Sequence, residues 1–271
     1  MVTSFLDLGA TVHVLGRNPD KVTAMVSDLR ASRPTAELVE EVCDVGDLDT
    51  VRAWTDDLAA RLADEPEGLH GIVHNAGVML PERTESPQGH EMSLAVHVLG
   101  PHLMIERMLP LLGAGSGGTV VLMSSGGMYS AGLRSTPDEI EYRDGSYDGV
   151  RGYARTKRMQ VVLADAWSRR LRGGRVAVES CHPGWAATAG LTDSLPGFEK
   201  VIGPLLRDAE SGGDTAVWLV ATRPDSSGTH HFWHDRAPRP TTYPFQRRQD
   251  PDAERAFLDH VAGATDTVWV G

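Results

Sequence analysis

The chain has 271 residues, 41% of them hydrophobic, with 26 basic against 37 acidic side chains and a formal net charge of -11. This length and composition suit one large α/β domain better than two small ones, and the acidic balance argues against binding the phosphate backbone of nucleic acid or an anionic membrane surface. No apolar run reaches ~18 uninterrupted residues and the amino terminus shows no leader pattern, which predicts a soluble, cytoplasmic protein whose partner is a small molecule.

The first residues, "MVTSFLDLG", have the pattern of the second half of a helix, followed by a turn and a strand, "ATVHVLG" (10–16). Asn18 and Pro19 open the next helix, as an N-cap followed by proline at the first helical position. A strand "AELVEEVCD" (36–44) follows, then a helix opened by the acidic turn around Asp47 and Asp49. Next come the strand "GLHGIVHNAG" (68–77), a long helix "EMSLAVHVLGPHLMIERMLPLL" (91–112) and the strand "GTVVLMSS" (118–125). A loop leads to the helix "GYARTKRMQVVLADAW", and the strands "RVAVESCHPG" (175–184) and "GTHHFWHD" (228–235) come after it. The stretch "DRAPRPTTYPFQRRQDP" predicts an extended surface crossing before a last helix near "DAERAFLDHVAG". Strands alternating with helices predict a mostly parallel sheet covered on both faces. Cys43 and Cys181 have no CxxC spacing, so the sequence signals two reduced thiols in or near strands.

Lysine stands only at Lys21, Lys157 and Lys200, every other basic position being arginine. An arginine at a given place therefore carries little information, and a retained lysine more. Tyr153 and Lys157 lie four apart on one helix face. A compact ammonium beside a phenol stabilises the phenolate and lowers a tyrosine pKa from about 10, which a bulkier guanidinium would do less well. Three strands end in loops able to meet a ligand: "NAG" with Asn75, Ala76 and Gly77, "SS" with Ser124 and Ser125, and "PG" with Pro183 and Gly184. In an α/β sheet such carboxyl ends open onto the ligand crevice.

Together these residues resemble the short-chain dehydrogenase/reductase family, NAD(P)-dependent oxidoreductases of Rossmann architecture, from about residue 6 to 235. The "SSGGM" loop, the "YARTKRMQVVL" helix and "HPGWAATAG" most resemble its dehydrogenase/reductase member 12 branch, and less closely the retinol dehydrogenases. The resemblance implies a Rossmann-type domain over 1–235 and an extension, 236–271, packing on it. It implies Tyr153 as general acid/base, Lys157 as the ribose-binding residue that depresses the tyrosine pKa, and Ser125 as a hydrogen-bonding partner of the substrate oxygen. On the cofactor side it implies Asn75, Ala76 and Gly77 at the adenosine ribose, Asp44 and Val45 at the adenine, and Pro183, Gly184 and Thr188 at the nicotinamide. Arg17 stands where an acidic residue would select NAD, which favours NADP, with NAD as the alternative. The substrate implied is a carbonyl or secondary alcohol, and the assembly a homodimer or homotetramer.

Two departures qualify that picture. His97, in "VHVLG", stands where the family carries asparagine as a fourth catalytic residue; the ring either joins a proton relay from Lys157 or fills a kink. Family members also begin with a strand and a TGxxxGxG turn that seats the pyrophosphate, and Met1 falls just after where that turn would end. In doubly wound order that strand lies between "ATVHVLG" and "GLHGIVHNAG", and each buried backbone group it leaves unpaired costs about 1 to 3 kcal/mol. A start codon further upstream, direct pairing of the two neighbours, or a strand from another chain would each resolve this. The first is expected for the gene product; some closure of the gap and weakened cofactor binding are expected for the chain as given. The rival function is a cofactor-free binding or scaffold role, or a non-redox step at Tyr153 and Ser125.

Outside this set, "HHFWH" offers His230, His231 and His234, but strand alternation sends the first two to opposite faces and argues against a metal. The 27 residues between Ser125 and Tyr153 predict a substrate-side lid or surface loop. The stretch "GWAATAGLTDSLPGFEKVIGPLL" occupies the place of a substrate lid, and its Leu, Phe and Trp content points to an apolar substrate.

Overall fold

A computed structural model describes residues 1–184, 208–225, 232–244, 246 and 249–269. Helix α1 (Val2–Asp7) leads into strand β1 (Val12–Gly16), α2 (Pro19–Ser32), β2 (Leu38–Val42), α3 (Leu48–Arg61) and β3 (Gly71–His74). A continuous helical stretch follows, made of α4 (Met92–Leu94), a π-helical segment (Ala95–Leu99) and α5 (Gly100–Leu112). Then come β4 (Gly118–Met123), a short 3-10 turn (Gly126–Ser130), α6 (Pro137–Ile140), α7 (Gly149–Arg170) and β5 (Val176–Cys181). Helix α8 (Ala209–Thr222), β6 (Phe232–His234), β7 (Ala237–Pro238) and α9 (Pro251–Thr265) complete the described chain.

The predicted caps are the observed ones. The Asn18 side chain accepts from the Lys21 N–H and Asp47 accepts from the Asp49 N–H, each satisfying an amide that a helix start leaves open. Strand β4 is buried along its whole length, as a near-continuous apolar run demands of a strand covered on both faces. No sequence pattern marks β7, a two-residue strand that contains Pro238 and pairs antiparallel with β6. No helix among the described residues is long and apolar enough to cross a membrane.

The sheet is divided. Strands β1 and β2 pair in parallel as one two-stranded unit, while β3, β4, β5 and β6 run parallel in a second unit that β7 closes. The expected closure of the gap by pairing β1 with β3 is therefore not what the described residues show. Side chains join the two units instead. From α1, Val2 and Leu6 pack with Val14, Val22, Val26 and Leu38 of the two-stranded unit. Met1 packs with Val121, Met123, Ala216 and Trp233 of the five-stranded one. A second bridge is the close approach of the β2 exit to α5: the Val45 carbonyl oxygen lies 2.1 Å from where a Cβ on Gly100 would stand, so this position admits only glycine.

The main core lies between the five-stranded sheet and α3, α5, α7 and α9. Trp167 and Phe257, both fully buried, anchor it, and each large apolar side chain buried there contributes about 1.5 to 3 kcal/mol. Phe257, Leu258 and Val261 place α9 in this core, so the C-terminal segment shares it with the rest of the chain.

Candidate active site

The exits of β3, β4 and β5 converge on the first turns of α7. The helix starts where the Asp148 side chain accepts from the Arg151 N–H, and it is fastened to β4 by the Ser124 hydroxyl, which donates to the Lys157 carbonyl at 2.8 Å. Ser125 caps the turn after β4, its hydroxyl accepting from the Gly127 N–H. The same side chain stands near enough to the Tyr153 phenol to favour its ionised form. The Lys157 ammonium stands 5.2 Å from the Tyr153 ring centroid. A Cβ on Gly77 would lie 3.2 Å from His97 Nε2 and 3.9 Å from Lys157 Nζ, which puts the "NAG" loop against the same cluster. Ser125, Tyr153, Lys157, His97 and Gly77, separated widely in sequence, thus occupy one place.

The Tyr153 pKa is raised from its ordinary value because burial disfavours the phenolate, and the nearby Ser125 hydroxyl offsets only part of this. Lys157 is not among the causes of that shift. Its Nζ donates to the Met123 carbonyl at 2.7 Å and to Gln160 Oε1 at 3.0 Å, both directed into the core. Burial also lowers the lysine pKa to about 7, so near neutrality a large fraction carries no charge.

His97 sits in the π-helical segment, fully buried. Its Nε2 faces the Val78 N–H at 3.0 Å and must accept, so the proton lies on Nδ1 and is donated to Thr156 Oγ1 at 2.8 Å. Burial, followed by the Lys157 charge, pushes the His97 pKa well below its ordinary value, which fixes the ring as neutral. Both nitrogens are thereby committed to positioning the Val78 loop against α7.

Arg17 is exposed at the exit of β1. It lines a cavity of about 340 Å³ together with Gly16, Asn18, Lys21 and Met25. Lys21 was not assigned to the site from sequence, although its retention in a lysine-poor chain was a signal; with Arg17 it gives this cavity two cations at the start of α2. Asp44 Oδ1 accepts from the Gly46 N–H and shapes the turn in which Val45 is buried. A pair of cations at the start of α2 and a bare glycine loop beside a buried lysine are residues that could hold a nicotinamide dinucleotide. Asn75 and Ala76 are exposed on that glycine loop.

Past β5, Gly184 adopts a left-handed φ of 77° that favours glycine, and its N–H is held by His182 Nδ1 at 3.0 Å. His182 also lies 3.7 Å from where a Cβ on Gly126 would stand, next to Ser125. The motif "CHPGW" contained this histidine, but nothing in its spacing marked it. Thr188, the proposed lid stretch beyond Gly184, His230 and His231 lie outside the described residues. His234 stacks on His182 with ring centroids 3.9 Å apart.

Residues 1–196 match the family model described as short chain dehydrogenase. The chain is similar to dehydrogenase/reductase SDR family member 12 of Bos taurus, 29% identical over 253 residues that cover 92% of this chain and 76% of that protein. Among solved structures it is similar to the oxidoreductase yciK from E. coli, with a TM-score of 0.63 at 20% identity over 85% of this chain and 87% of the other. It is also similar to a metagenomic short-chain oxidoreductase in complex with NADP, with a TM-score of 0.52 at 21% identity over 68% and 75%. At such identities the structures speak for the fold, while the match over most of the chain speaks for descent. The chain belongs to the short-chain dehydrogenase family of oxidoreductases.

Proposed function

We propose that the chain is an NADP(H)-preferring oxidoreductase acting on a carbonyl or secondary alcohol, with Tyr153 as general acid/base. The observation that carries this reading is the gathering of Ser125, Tyr153 and Lys157 at one place, with the Lys157 Nζ 5.2 Å from the Tyr153 ring and the Gly77 loop against both His97 and Lys157. Two hydroxyls held together at the mouth of a parallel sheet can polarise one substrate oxygen. When bound, the nicotinamide supplies the hydride. Tyr153, kept protonated by burial, gives its phenolic proton to the carbonyl oxygen as that oxygen becomes an alcohol, and Ser125 holds the same oxygen. Lys157 holds the ribose, Asn75, Ala76 and Gly77 the adenosine side, Asp44 and Val45 the adenine, and Pro183, Gly184 and Thr188 the nicotinamide. Arg17 and Lys21 hold the 2′-phosphate. The assembly is a homodimer or homotetramer, and the substrate is apolar.

A titration of the chain with NADPH and with NADH, followed by nicotinamide fluorescence, tests this reading. Tighter binding of NADPH supports it, and no binding at millimolar concentrations of either sinks it. The inward pairing of Lys157 with Met123 and Gln160 favours a second reading, a cofactor-free binding role, which that same null result would select.

A further inference from the structure

Away from the cleft, three segments meet at the carboxylate of Glu141, which follows α6. His90 comes from the turn before α4 and its Nδ1 lies 2.8 Å from Glu141 Oε1. His260 comes from α9 and its Nε2 lies 2.9 Å from that same oxygen. The three ligand atoms all lie within 4.8 Å of one another. Glu141 is 1% exposed, and the two histidines are 17% and 16% exposed, leaving a narrow opening to solvent. The other carboxylate oxygen accepts from the Glu91 N–H at 2.9 Å, which fixes the orientation of the group.

Charge adds a second observation. Glu91 is itself 1% exposed, its carboxylate accepting from the Ser93 and Leu94 N–H groups and from the Tyr147 hydroxyl. Among the described residues Glu141 is ion-paired only with His90 and His260, which balance its charge only when protonated, and Glu91 is paired with no lysine or arginine. Two anions in a space of low polarity call for a cation.

We propose that His90, Glu141 and His260 form a zinc site, with water completing the coordination. Two imidazole nitrogens and one carboxylate oxygen are a borderline donor set that suits zinc and disfavours magnesium or calcium, which take oxygen. With metal–ligand bonds of about 2.0 to 2.2 Å, tetrahedral ligands stand roughly 3.3 Å apart, a small expansion of the distances around Oε1. His90 Nδ1 and His260 Nε2 each donate a lone pair, so each ring carries its proton on the other nitrogen, and the incoming ion sheds water. The Glu91 N–H plays the part of the outer-shell donor that aims a ligating carboxylate. The ion ties the loop between Ser125 and Tyr153 to α9 and to the turn before α4. It stands independently of the redox reading, because none of its ligands belongs to the Tyr153 cluster.

The test uses the full, untagged chain after chelator treatment. Zinc titrated against a chromophoric chelator is expected to bind once per chain and to raise the melting temperature by roughly 5 °C. Cobalt added in its place is expected to give the visible bands of a low-coordinate ion. His260→Gln and Glu141→Gln should each abolish those bands and weaken zinc by about 100-fold, with circular dichroism confirming that the His260→Gln chain is folded. His234→Gln, in the histidine-rich strand, should bind like the parent. The absence of stoichiometric zinc, cobalt that keeps its aqueous spectrum, or zinc affinity unchanged in both His90→Gln and His260→Gln would overturn the proposal.

Discussion

His97 and Thr156 share a buried hydrogen bond of 2.8 Å, and the Val78 amide closes on the opposite ring nitrogen at 3.0 Å. One imidazole thus pins a loop from β3 to the helix that carries Tyr153. His97→Leu leaves the Val78 N–H and the Thr156 hydroxyl short of a partner, and is expected to lower stability by about 1 to 3 kcal/mol in urea unfolding. A loss below ~0.5 kcal/mol would show that this amide is satisfied in some other way.

Tyr153→Phe removes the proton donor but keeps the ring. Turnover is expected to fall by about 10² to 10⁴ while nicotinamide fluorescence still reports cofactor binding. The raised phenol pKa adds a direction in pH. Carbonyl reduction needs the protonated form and should hold steady into alkaline solution, whereas alcohol oxidation needs the phenolate and should climb. Profiles that change in the opposite order would count against Tyr153 as the proton carrier.

Arg17→Ala and Lys21→Ala each remove one cation from the cavity at the start of α2. Each is expected to weaken NADPH roughly 10-fold or more and NADH little, because only the former carries a phosphate there. Equal losses for both cofactors would mean that these side chains support the fold of the turn and do not read the ribose.

Lys157 couples the site to stability. Its folded pKa is near 7, against an ordinary value of 10.5. Below pH 7 both folded and unfolded chains hold the proton and the full penalty of burying the charge is present. Between 7 and 10.5 the unfolded chain binds more protons, so folding gains stability as pH rises, by on the order of 3 to 5 kcal/mol. Lys157→Met should flatten that rise in thermal melts of the cofactor-free protein, and an unchanged slope would refute the assignment.

His102 acts in the same direction over the acid range. The Trp167 Nε1–H donates to its Nδ1, so its proton is on Nε2, facing Thr267 Oγ1 at 2.9 Å. Burial lowers its pKa from 6.5 to about 3, so its stabilising contribution is complete above 6.5 and is lost as pH falls towards 3. Over that range the loss is roughly 4 kcal/mol, and His102→Gln, which keeps an acceptor and a donor without titrating, should blunt it.

The strand ends and the tyrosine helix were legible in the sequence because each is encoded locally. β4 is a run of apolar residues closed by two serines, and Tyr153 and Lys157 are four residues apart. The direction of the Lys157 side chain was not legible, because it depends on the Met123 carbonyl, 34 residues away, and on Gln160 presenting an acceptor inward. The same holds for His90, Glu141 and His260, separated by 51 and 119 residues and joined only by the packing of α9 on the core. The division of the sheet was foreseen as a problem, but its handling by Met1, Val2 and Leu6 depends on side-chain contacts that no periodicity records.

Gly100 sets how closely the turn after β2 approaches α5. The loop after β2 that carries Asp44 and Val45 rests on this residue, and the helical stretch that contains it also carries His97, three residues earlier and against Thr156. The Asp44–Val45 turn and the His97 contact to the Tyr153 helix therefore share one rigid strut. A methyl group at this position would push the Val45 carbonyl away and shift that turn relative to the Tyr153 helix, leaving every side chain of the proposed site intact.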